Sequence, residues 1–278
     1  MTHFDNLAMT DKAPVIALHS SASNGRQWNK LREDLEQQHV VETPELPGYD
    51  RKIDRLPDIR GLESVVTPMI SHISRFGEPV HLVGHSFGGG VALKIALVYP
   101  QLVKSLTLYE PIAFHLLLDS DAVDRALVWE LQQIAHSMTG QLNSGADNID
   151  MSPFIDFWNG TGCWQNMPEA ARDKIAGTAE NVVGDFEAEL GETWSLDDLL
   201  KLDIPTQVMM GMDSPAVAQR MSKLVFDGVP DAELVMLPGL DHMAPIYAPN
   251  WVNPRIVQHI ARADRSAERF SWPRTVAA

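Results

Sequence analysis

The sequence predicts an α/β fold with a mostly parallel, doubly wound sheet and a helical segment inserted between two of its strands. Short apolar runs alternate with segments of helical spacing along most of the chain, which is typical of parallel βαβ units. The stretch 80–90 places a serine on a glycine-rich turn between an apolar run and a helical pattern. From about residue 112 to about residue 195 the strand pattern stops and helical patterns replace it.

The first part of the chain contains four predicted strands, each a short apolar run. They are Val15 to His19, a strand starting at Val40 and Val41, Val80 to Val83, and Val103 to Tyr109. Helical spacing separates them at Trp28 to Leu35, Val65 to Ile73, and Val91 to Tyr99. Thr67 fits an N-cap of the second helix, with Pro68 either at its first position or at a kink. Pro100 is expected to end the third helix.

The strand pattern resumes after the insertion, with strands at Pro205 to Gly211 and Glu233 to Leu237 and helices at Ala216 to Val225 and Trp251 to Ala261. We therefore interpret residues 1–111 and 196–262 as two parts of one core. Residues 112–195 are expected to form a lid over the carboxyl edge of the sheet, where parallel sheets bind ligands. Residues 263–278 are interpreted as a polar tail that is disordered or covers a surface groove.

Composition limits the classes of partner. The chain has 278 residues, and Lys+Arg 22 against Asp+Glu 37 gives a net charge of -15, which disfavours nucleic acid and anionic membranes as partners. The first twelve residues lack the basic start and apolar run of a signal peptide, and no stretch reaches membrane-spanning length, so a soluble, cytoplasmic protein is expected. The single cysteine, Cys163, excludes an internal disulfide and is interpreted as a small buried residue.

The glycine-rich turn contains the candidate nucleophile. Gly84-His85-Ser86-Phe87-Gly88 fits the G-x-S-x-G pattern, in which a serine is lifted off the end of a strand in strained backbone angles. Side chains at 84 or 88 would collide with neighbouring backbone in so tight a turn. A serine hydroxyl is a poor nucleophile at neutral pH, so Ser86 needs a base, and the base needs an acid that fixes its tautomer.

The chain resembles the α/β-hydrolase family over about residues 14–262. Besides the turn, the residues that carry the resemblance are Leu18-His-Ser-Ser-Ala-Ser23 with Trp28, Leu46-Pro-Gly48, and Pro238-Gly-Leu-Asp-His242. The resemblance implies Ser86 as nucleophile, His242 as general base, and the amides of Ser21 and Phe87 as the oxyanion hole. It also implies that His19 supports the oxyanion loop, while His85 is interpreted as a packing residue.

The acid has two candidates. Asp213 lies two residues after Gly211, near the usual position of the family, although the family more often has its aspartate three residues after that glycine, where this chain has Ser214. Glu110 follows the strand before the insertion, a position that some branches, such as certain haloalkane dehalogenases, use for the acid. Whichever of the two is not the acid is expected to be a solvated or strand-end carboxylate.

Three departures from the family pattern are visible. His19-Ser20 stands where the family usually has His-Gly, which alters the oxyanion loop but leaves its amides available. The short segment before the first parallel strand predicts that the antiparallel hairpin at the start of the fold is abbreviated or absent. Serine at the nucleophile position argues against dehalogenase and epoxide hydrolase activity, because the enzymes of both classes have aspartate at this position.

The resemblance implies a serine hydrolase that cleaves an ester, thioester or lactone through an acyl-enzyme, acting on a small molecule with an apolar acyl group. Alternatives are a carbon–carbon bond hydrolase, a cofactor-free haloperoxidase or perhydrolase with the same triad, and a non-catalytic ligand receptor. The chain has neither H-E-x-x-H nor G-x-G-x-x-G, so no metal and no other cofactor are expected. The aromatic stretch 154–164 includes Trp158 and Trp164, which are expected either to line the substrate pocket or to form the core of the lid.

Overall fold

The computed structural model describes residues 12–49 and 61–270, with side chains up to residue 266. At its centre is a sheet of six strands: β1 (Val15–Leu18), β2 (Val41–Glu42), β3 (Val80–His85), β4 (Val103–Tyr109), β5 (Thr206–Gly211) and β6 (Glu233–Leu237). The order across the sheet is β2-β1-β3-β4-β5-β6, and all five neighbouring pairs are parallel. The predicted parallel sheet is therefore confirmed, and the expected hairpin concerns residues 1–11, which lie outside the described residues.

The strand order reverses between β1 and β3, and this determines where a site forms. From β1 the chain moves outward to β2, and it then returns to place β3 on the other side of β1. The loops after β1 and β3 consequently lead away from each other, which opens a crevice at the carboxyl ends of these two strands. Ser21 follows β1 and Ser86 follows β3, so both lie at this crevice.

The helices of the first half cover both faces of the sheet. They are α1 (Asn29–Leu35), α2 (Glu63–Ser74) and α3 (Phe87–Val98), with short 3-10 helices at Gly25–Trp28 and Pro100–Leu102. Alternate residues of β1 enter different clusters: Ile16 belongs to the cluster that includes the α2 and α3 side chains, and Val15 to the one that includes Leu31 of α1. This alternation follows from the period of two along a strand and makes the sheet doubly wound.

The insertion is entirely helical. Between β4 and β5 the chain forms α4 (Phe114–Leu118), α5 (Ala122–Asn143), α6 (Ser152–Asn159), α7 (Cys163–Asn166), α8 (Glu169–Ala176), α9 (Ala179–Leu190) and α10 (Leu196–Leu199). Val128, Phe154 and Phe186 of these helices belong to the same apolar cluster as Leu82 of β3. The helices of the insertion therefore share their core with the sheet.

Three helices complete the chain: α11 (Ala216–Gly228), α12 (Ala244–Tyr247) and α13 (Pro249–Phe270). The last of these is longer than its apolar periodicity predicts, because the buried Asp264 fixes its second half through an ion pair to Lys104 and a hydrogen bond from His81. Residues 264–270 are thus helical, and the rest of the predicted tail, 271–278, lies outside the described residues. No described helix combines the length and apolarity needed to cross a bilayer.

One predicted helix start is wrong. α2 begins at Glu63, so Thr67 lies within the helix, where its hydroxyl donates to Glu63 Oε1 at 3.3 Å, and does not cap it. Pro68 lies inside the helix, in accordance with the alternative expectation that it is not the first helical residue.

Candidate active site

Ser86 occupies the strained turn between β3 and α3. Its backbone angles are φ 55° and ψ -121°, a conformation that costs a non-glycine residue on the order of 1–3 kcal/mol. The flanking glycines permit the turn. A Cβ at Gly84 would lie 2.4 Å from the Gly88 carbonyl oxygen, and one at Gly88 would lie 2.4 Å from the His19 carbonyl oxygen. The predicted turn geometry is thus present around Ser86.

Three of the four candidate catalytic side chains form one hydrogen-bonded chain. His242, in the loop between β6 and α12, has Nε2 2.9 Å from Ser86 Oγ and Nδ1 2.6 Å from Glu110 Oε2. A carboxylate oxygen accepts hydrogen bonds, so Nδ1 carries the ring hydrogen and Nε2 can accept the hydroxyl proton of Ser86. All three side chains are buried.

Glu110 is held by hydrogen bonds on two sides, whereas Asp213 is not part of the hydrogen-bonded chain from Ser86 to Glu110. The second oxygen of Glu110, Oε1, accepts hydrogen bonds from Gly211 N at 2.7 Å and from the Ser214 hydroxyl at 2.5 Å. Ser214 stands at the place where the resemblance expects an aspartate, and here its hydroxyl donates to the glutamate of the neighbouring strand. Asp213 is exposed. The structure therefore brings Glu110, and not Asp213, to His242.

A second hydrogen-bond chain fixes the loop that carries His242. His85 Nε2–H donates to the His242 carbonyl oxygen at 2.7 Å, and Gln27 Nε2 donates to His85 Nδ1 at 3.0 Å. Gln27 Oε1 in turn accepts from the backbone N–H and the hydroxyl of Ser20. Burial lowers the pKa of His85 well below its ordinary value, so it remains neutral and keeps these roles. Sequence reasoning interpreted His85 as packing only and missed this link.

The phenol of Tyr109 supports the same loop, since it donates to the Asp241 carbonyl oxygen at 2.7 Å. Burial, assisted by the charge of Glu110, raises the pKa of Tyr109, which keeps the phenol protonated as a donor. Both sides of the His242 backbone are thus tied to residues at the ends of β3 and β4.

The two residues expected to form the oxyanion hole lie on either side of the nucleophile. Ser21 and Phe87 line the same cavity as Ser86. The loop that contains Ser21 is fixed by His19, whose Nδ1–H donates to the Ser20 carbonyl at 2.8 Å and whose Nε2 accepts from Leu46 N at 3.0 Å. Burial lowers the pKa of His19 to about 4, so the ring is neutral and its 3.4 Å approach to Glu45 is not an ion pair at neutral pH.

Two cavities meet at Ser86. The smaller one has a volume of about 20 Å³ and extends toward α9, while the larger one has a volume of about 270 Å³ and extends toward α8 and α12. Four residues line both: Ser21, Ser86, Phe154 and Trp158. The Trp158 ring also stacks on His242, with centroids 4.1 Å apart and 29° between the planes. Trp158 therefore contacts both cavities next to the catalytic base candidate.

The other aromatic candidate has a different environment. Trp164 is partly buried and packs against the main apolar cluster, and it is not among the residues that line either cavity. Cys163, at the start of α7, is a free, partly buried thiol whose pKa is raised by burial and by Asp156. The expectation of a small buried residue is thus met only in part.

Potential metal ligands occur together at one place in the described chain. Ligand atoms of His39, His81 and Asp264 lie within 4.8 Å of one another, at the edge of the sheet opposite Ser86. The ammonium of Lys104 lies 2.6 Å from Asp264 Oδ1 and already supplies a positive charge. We interpret this cluster as an ion-pair network that attaches α13 to β3 and β4.

Comparisons with known proteins identify the family to which the chain is similar. The model of the Alpha/beta hydrolase family matches residues 15–255. The chain is 33% identical over 109 residues to the abhydrolase domain-containing protein abhd-5.2 of Caenorhabditis elegans, covering 37% of this chain and 24% of that protein. It is 30% identical over 110 residues to Lipase LipV of Mycobacterium tuberculosis, covering 39% of this chain and 41% of that protein. The chain thus spans less than half the length of these two relatives.

A solved structure extends the similarity over nearly the whole fold. The thermophilic esterase from Thermogutta terrifontis, with malate bound, superposes with a TM-score of 0.66 at 20% identity, covering 91% of this chain and 90% of that one. At this identity the similarity concerns the fold alone.

Proposed function

Because the chain belongs to the alpha/beta hydrolase family, we propose that it is a serine hydrolase that cleaves a carboxylic ester, thioester or lactone through an acyl-enzyme intermediate. The observation that carries the proposal is the buried chain Glu110–His242–Ser86, which opens into two cavities at the serine. This is the order of acid, base and nucleophile that acyl transfer requires.

In the proposed reaction, Ser86 Oγ attacks the substrate carbonyl carbon while its proton passes to His242 Nε2. The carbonyl oxygen becomes an oxyanion, for which the backbone N–H groups of Ser21 and Phe87 are the proposed donors. A donor of this kind stabilises the transition state by about 2.7–4 kcal/mol. Glu110 keeps the hydrogen on Nδ1 and stabilises the imidazolium.

The intermediate then collapses. The bond between the carbonyl carbon and the leaving oxygen or sulfur breaks, and His242 returns its proton to the leaving group. The acyl group stays on Ser86 until a water molecule, deprotonated by His242, attacks the ester and releases the carboxylic acid. The larger cavity, open toward α8 and α12, is the proposed site of the leaving group, and the smaller cavity is that of the acyl group. The volume of about 20 Å³ gives room for only a small part of the acyl group beside Ser86, and the largely apolar wall favours an apolar chain.

The test combines covalent labelling with turnover. A fluorophosphonate is expected to modify Ser86 alone, and a series of p-nitrophenyl esters of increasing acyl length is expected to be hydrolysed. Ser86→Ala should lose both properties and keep its thermal stability, whereas the exposed Ser71→Ala should behave like the wild type. Esterase activity that persists in purified Ser86→Ala protein would contradict the proposal, and binding without turnover would favour a receptor.

A further inference from the structure

The smaller cavity is lined by an acidic side chain that has no hydrogen-bond partner in the described part of the chain. Glu189, on α9, lines this cavity together with Ser86. Only 1% of its surface is exposed, and neither Oε1 nor Oε2 has a hydrogen-bond partner among residues 12–49 and 61–270. Buried polar atoms in folded proteins are nearly always paired, so two such oxygens on a side chain that lines a cavity make Glu189 a candidate ligand-binding residue.

The surrounding backbone leaves space for this carboxyl group. A Cβ at Gly90, in the first turn of α3, would lie 2.4 Å from Glu189 Oε1. Glycine at this position therefore allows the carboxyl group to approach α3 directly, four residues after the nucleophile. The rest of the cavity wall is largely apolar and includes Ile112, Phe114, Phe154, Val182 and Phe186.

The neighbouring acids have partners. Glu192 accepts from Leu62 N at 2.6 Å and from Lys94 Nζ at 2.8 Å. Asp185 accepts from the hydroxyls of Ser21 and Tyr49. The Tyr49 oxygen itself accepts from Ala22 N, so its own hydrogen is directed to Asp185, and Asp185 acts as a carboxylate.

The surroundings of Glu189 also shift its protonation equilibrium. Burial, followed by the negative charges of Glu192 and Asp185, raises the pKa of Glu189 well above its ordinary value. This shift favours the uncharged carboxylic acid, which has one O–H donor and one carbonyl acceptor. The complementary ligand is a neutral group that both accepts and donates a hydrogen bond.

We propose that Glu189 is a substrate-binding residue that recognises a hydroxyl group on the acyl part of the substrate. The inference rests on the proposed hydrolase function and narrows it to hydroxyacyl esters. A hydroxyl group provides one acceptor and one donor, as the two unpaired oxygens of Glu189 require. The cavity volume of about 20 Å³ suits it, because this is roughly the space that a group of the size of one water molecule occupies.

The experiment uses matched esters of a four-carbon acid. The kcat/KM is measured for ethyl butanoate, its 2-hydroxy and 3-hydroxy derivatives, and ethyl 3-aminobutanoate. The carboxylic acid that each ester releases is titrated with base at constant pH. The wild type should prefer the better hydroxy ester over ethyl butanoate by about tenfold, the effect of one buried polar pair. Glu189→Met and Glu189→Ala, which lack both donor and acceptor, should lose this preference. Glu189→Gln, which is neutral and offers both, should retain most of it.

Controls separate binding from folding. Glu187→Gln changes an exposed acid on the same helix and should keep the wild-type preference. Glu189→Met should melt at or above the wild-type temperature, because an apolar side chain of similar shape removes two unpaired buried oxygens.

Three outcomes would contradict the inference. If the wild type hydrolyses ethyl butanoate and the hydroxy esters with equal kcat/KM, the inference is overturned and the proposed function remains intact. A preference for the amino ester that Glu189→Gln abolishes would show an ionised, cation-binding Glu189 and would also overturn it. If the wild type hydrolyses none of the esters, the proposed function itself fails, and this inference with it.

Discussion

At the residue scale, the acid of the candidate triad is determined by what surrounds it. Glu110 lies at the carboxyl end of β4 with a positive φ of 44°, and its two oxygens face His242 on one side and the β5 end on the other. Ala22, Ser86 and Asp231 are the other described non-glycine residues with a positive φ, and the first two lie at this site. Strain of this kind persists where neighbouring contacts hold it and is typical of functional sites.

This arrangement predicts the outcome of exchanging each acid for its amide. Glu110→Gln should lower kcat for p-nitrophenyl ester hydrolysis by about 10⁴-fold, because an amide favours the wrong imidazole tautomer without removing the side chain. Asp213→Asn is the matched control and should change kcat little, since Asp213 is exposed. Steady-state kinetics of the two variants decide the matter, and a larger loss in Asp213→Asn would assign the acid to that residue instead.

The sequence predicts the residues that belong to short local motifs and not those that depend on tertiary pairing. Ser86 lies in the glycine-flanked turn, and His242 lies in a loop of recognisable composition. Ser214, His85 and Glu189 have no such signal, because Ser214 and His85 acquire their hydrogen-bond partners, and Glu189 its place in the cavity beside Ser86, from segments far away in the chain. The choice between Glu110 and Asp213 stayed open for the same reason, since both follow strands that end at one edge of the sheet.

At the scale of single elements, α13 is attached to the sheet by a buried charge network. Asp264 Oδ1 lies 3.0 Å from His81 Nε2 and 2.6 Å from Lys104 Nζ, at the edge of the sheet opposite Ser86. Apolar periodicity alone predicts a helix that ends near Ala261, and the polar residues beyond it were interpreted as a tail. The helix continues because a buried ion pair, which has no periodic signature, stabilises its last turns.

Removal of one charged partner from this network should destabilise the folded protein. Asp264→Asn should lower the free energy of unfolding by about 3–5 kcal/mol, because it leaves buried groups uncompensated. Asp227→Asn, which breaks the exposed pair with Lys223, should change it by less than about 1 kcal/mol. Urea unfolding of both variants at pH 7, without any ester substrate, measures the difference. Equal effects would contradict a structural role for the network.

The effect of Asp264→Asn should also depend on pH. Burial alone would raise the pKa of Asp264, but the hydrogen bonds from His81 and Lys104 outweigh it and hold the pKa below its ordinary value. The stabilisation by the carboxylate is therefore fully present above the unfolded pKa, about 3.9, and is lost as the pH falls through the lower folded value. The difference in the free energy of unfolding between the wild type and Asp264→Asn should be constant from about pH 5 to 8 and should decrease in more acidic solution.

At the scale of the whole molecule, the sheet and the insertion contribute different things to one site. The nucleophile, acid and base candidates follow β3, β4 and β6, whereas most of the apolar cavity wall comes from α4, α6 and α9. Alternation of apolar runs and helical segments was sufficient to predict this division. It could not predict which side chains of the insertion reach Ser86, because lid packing and pocket lining require the same apolar and aromatic residues.

The last prediction separates these two roles of the lid by comparing its tryptophans. Trp158 lines both the cavity of about 20 Å³ and that of about 270 Å³, so Trp158→Ala should enlarge the site and shift the kcat/KM profile of p-nitrophenyl esters toward longer or branched acyl groups. Its kcat should fall as well, because the stacking on His242 is lost.

Trp164→Ala should lower the melting temperature without a shift in profile, since Trp164 packs against the core and lines neither cavity. A buried tryptophan lost from a core costs about 3–5 kcal/mol, and this partly buried one should cost less. Trp129, exposed on α5, provides the matched control, and Trp129→Ala should change neither property. An unchanged acyl-length profile in folded Trp158→Ala would assign this tryptophan to packing alone, and substrate choice would then have to depend on other residues of the wall.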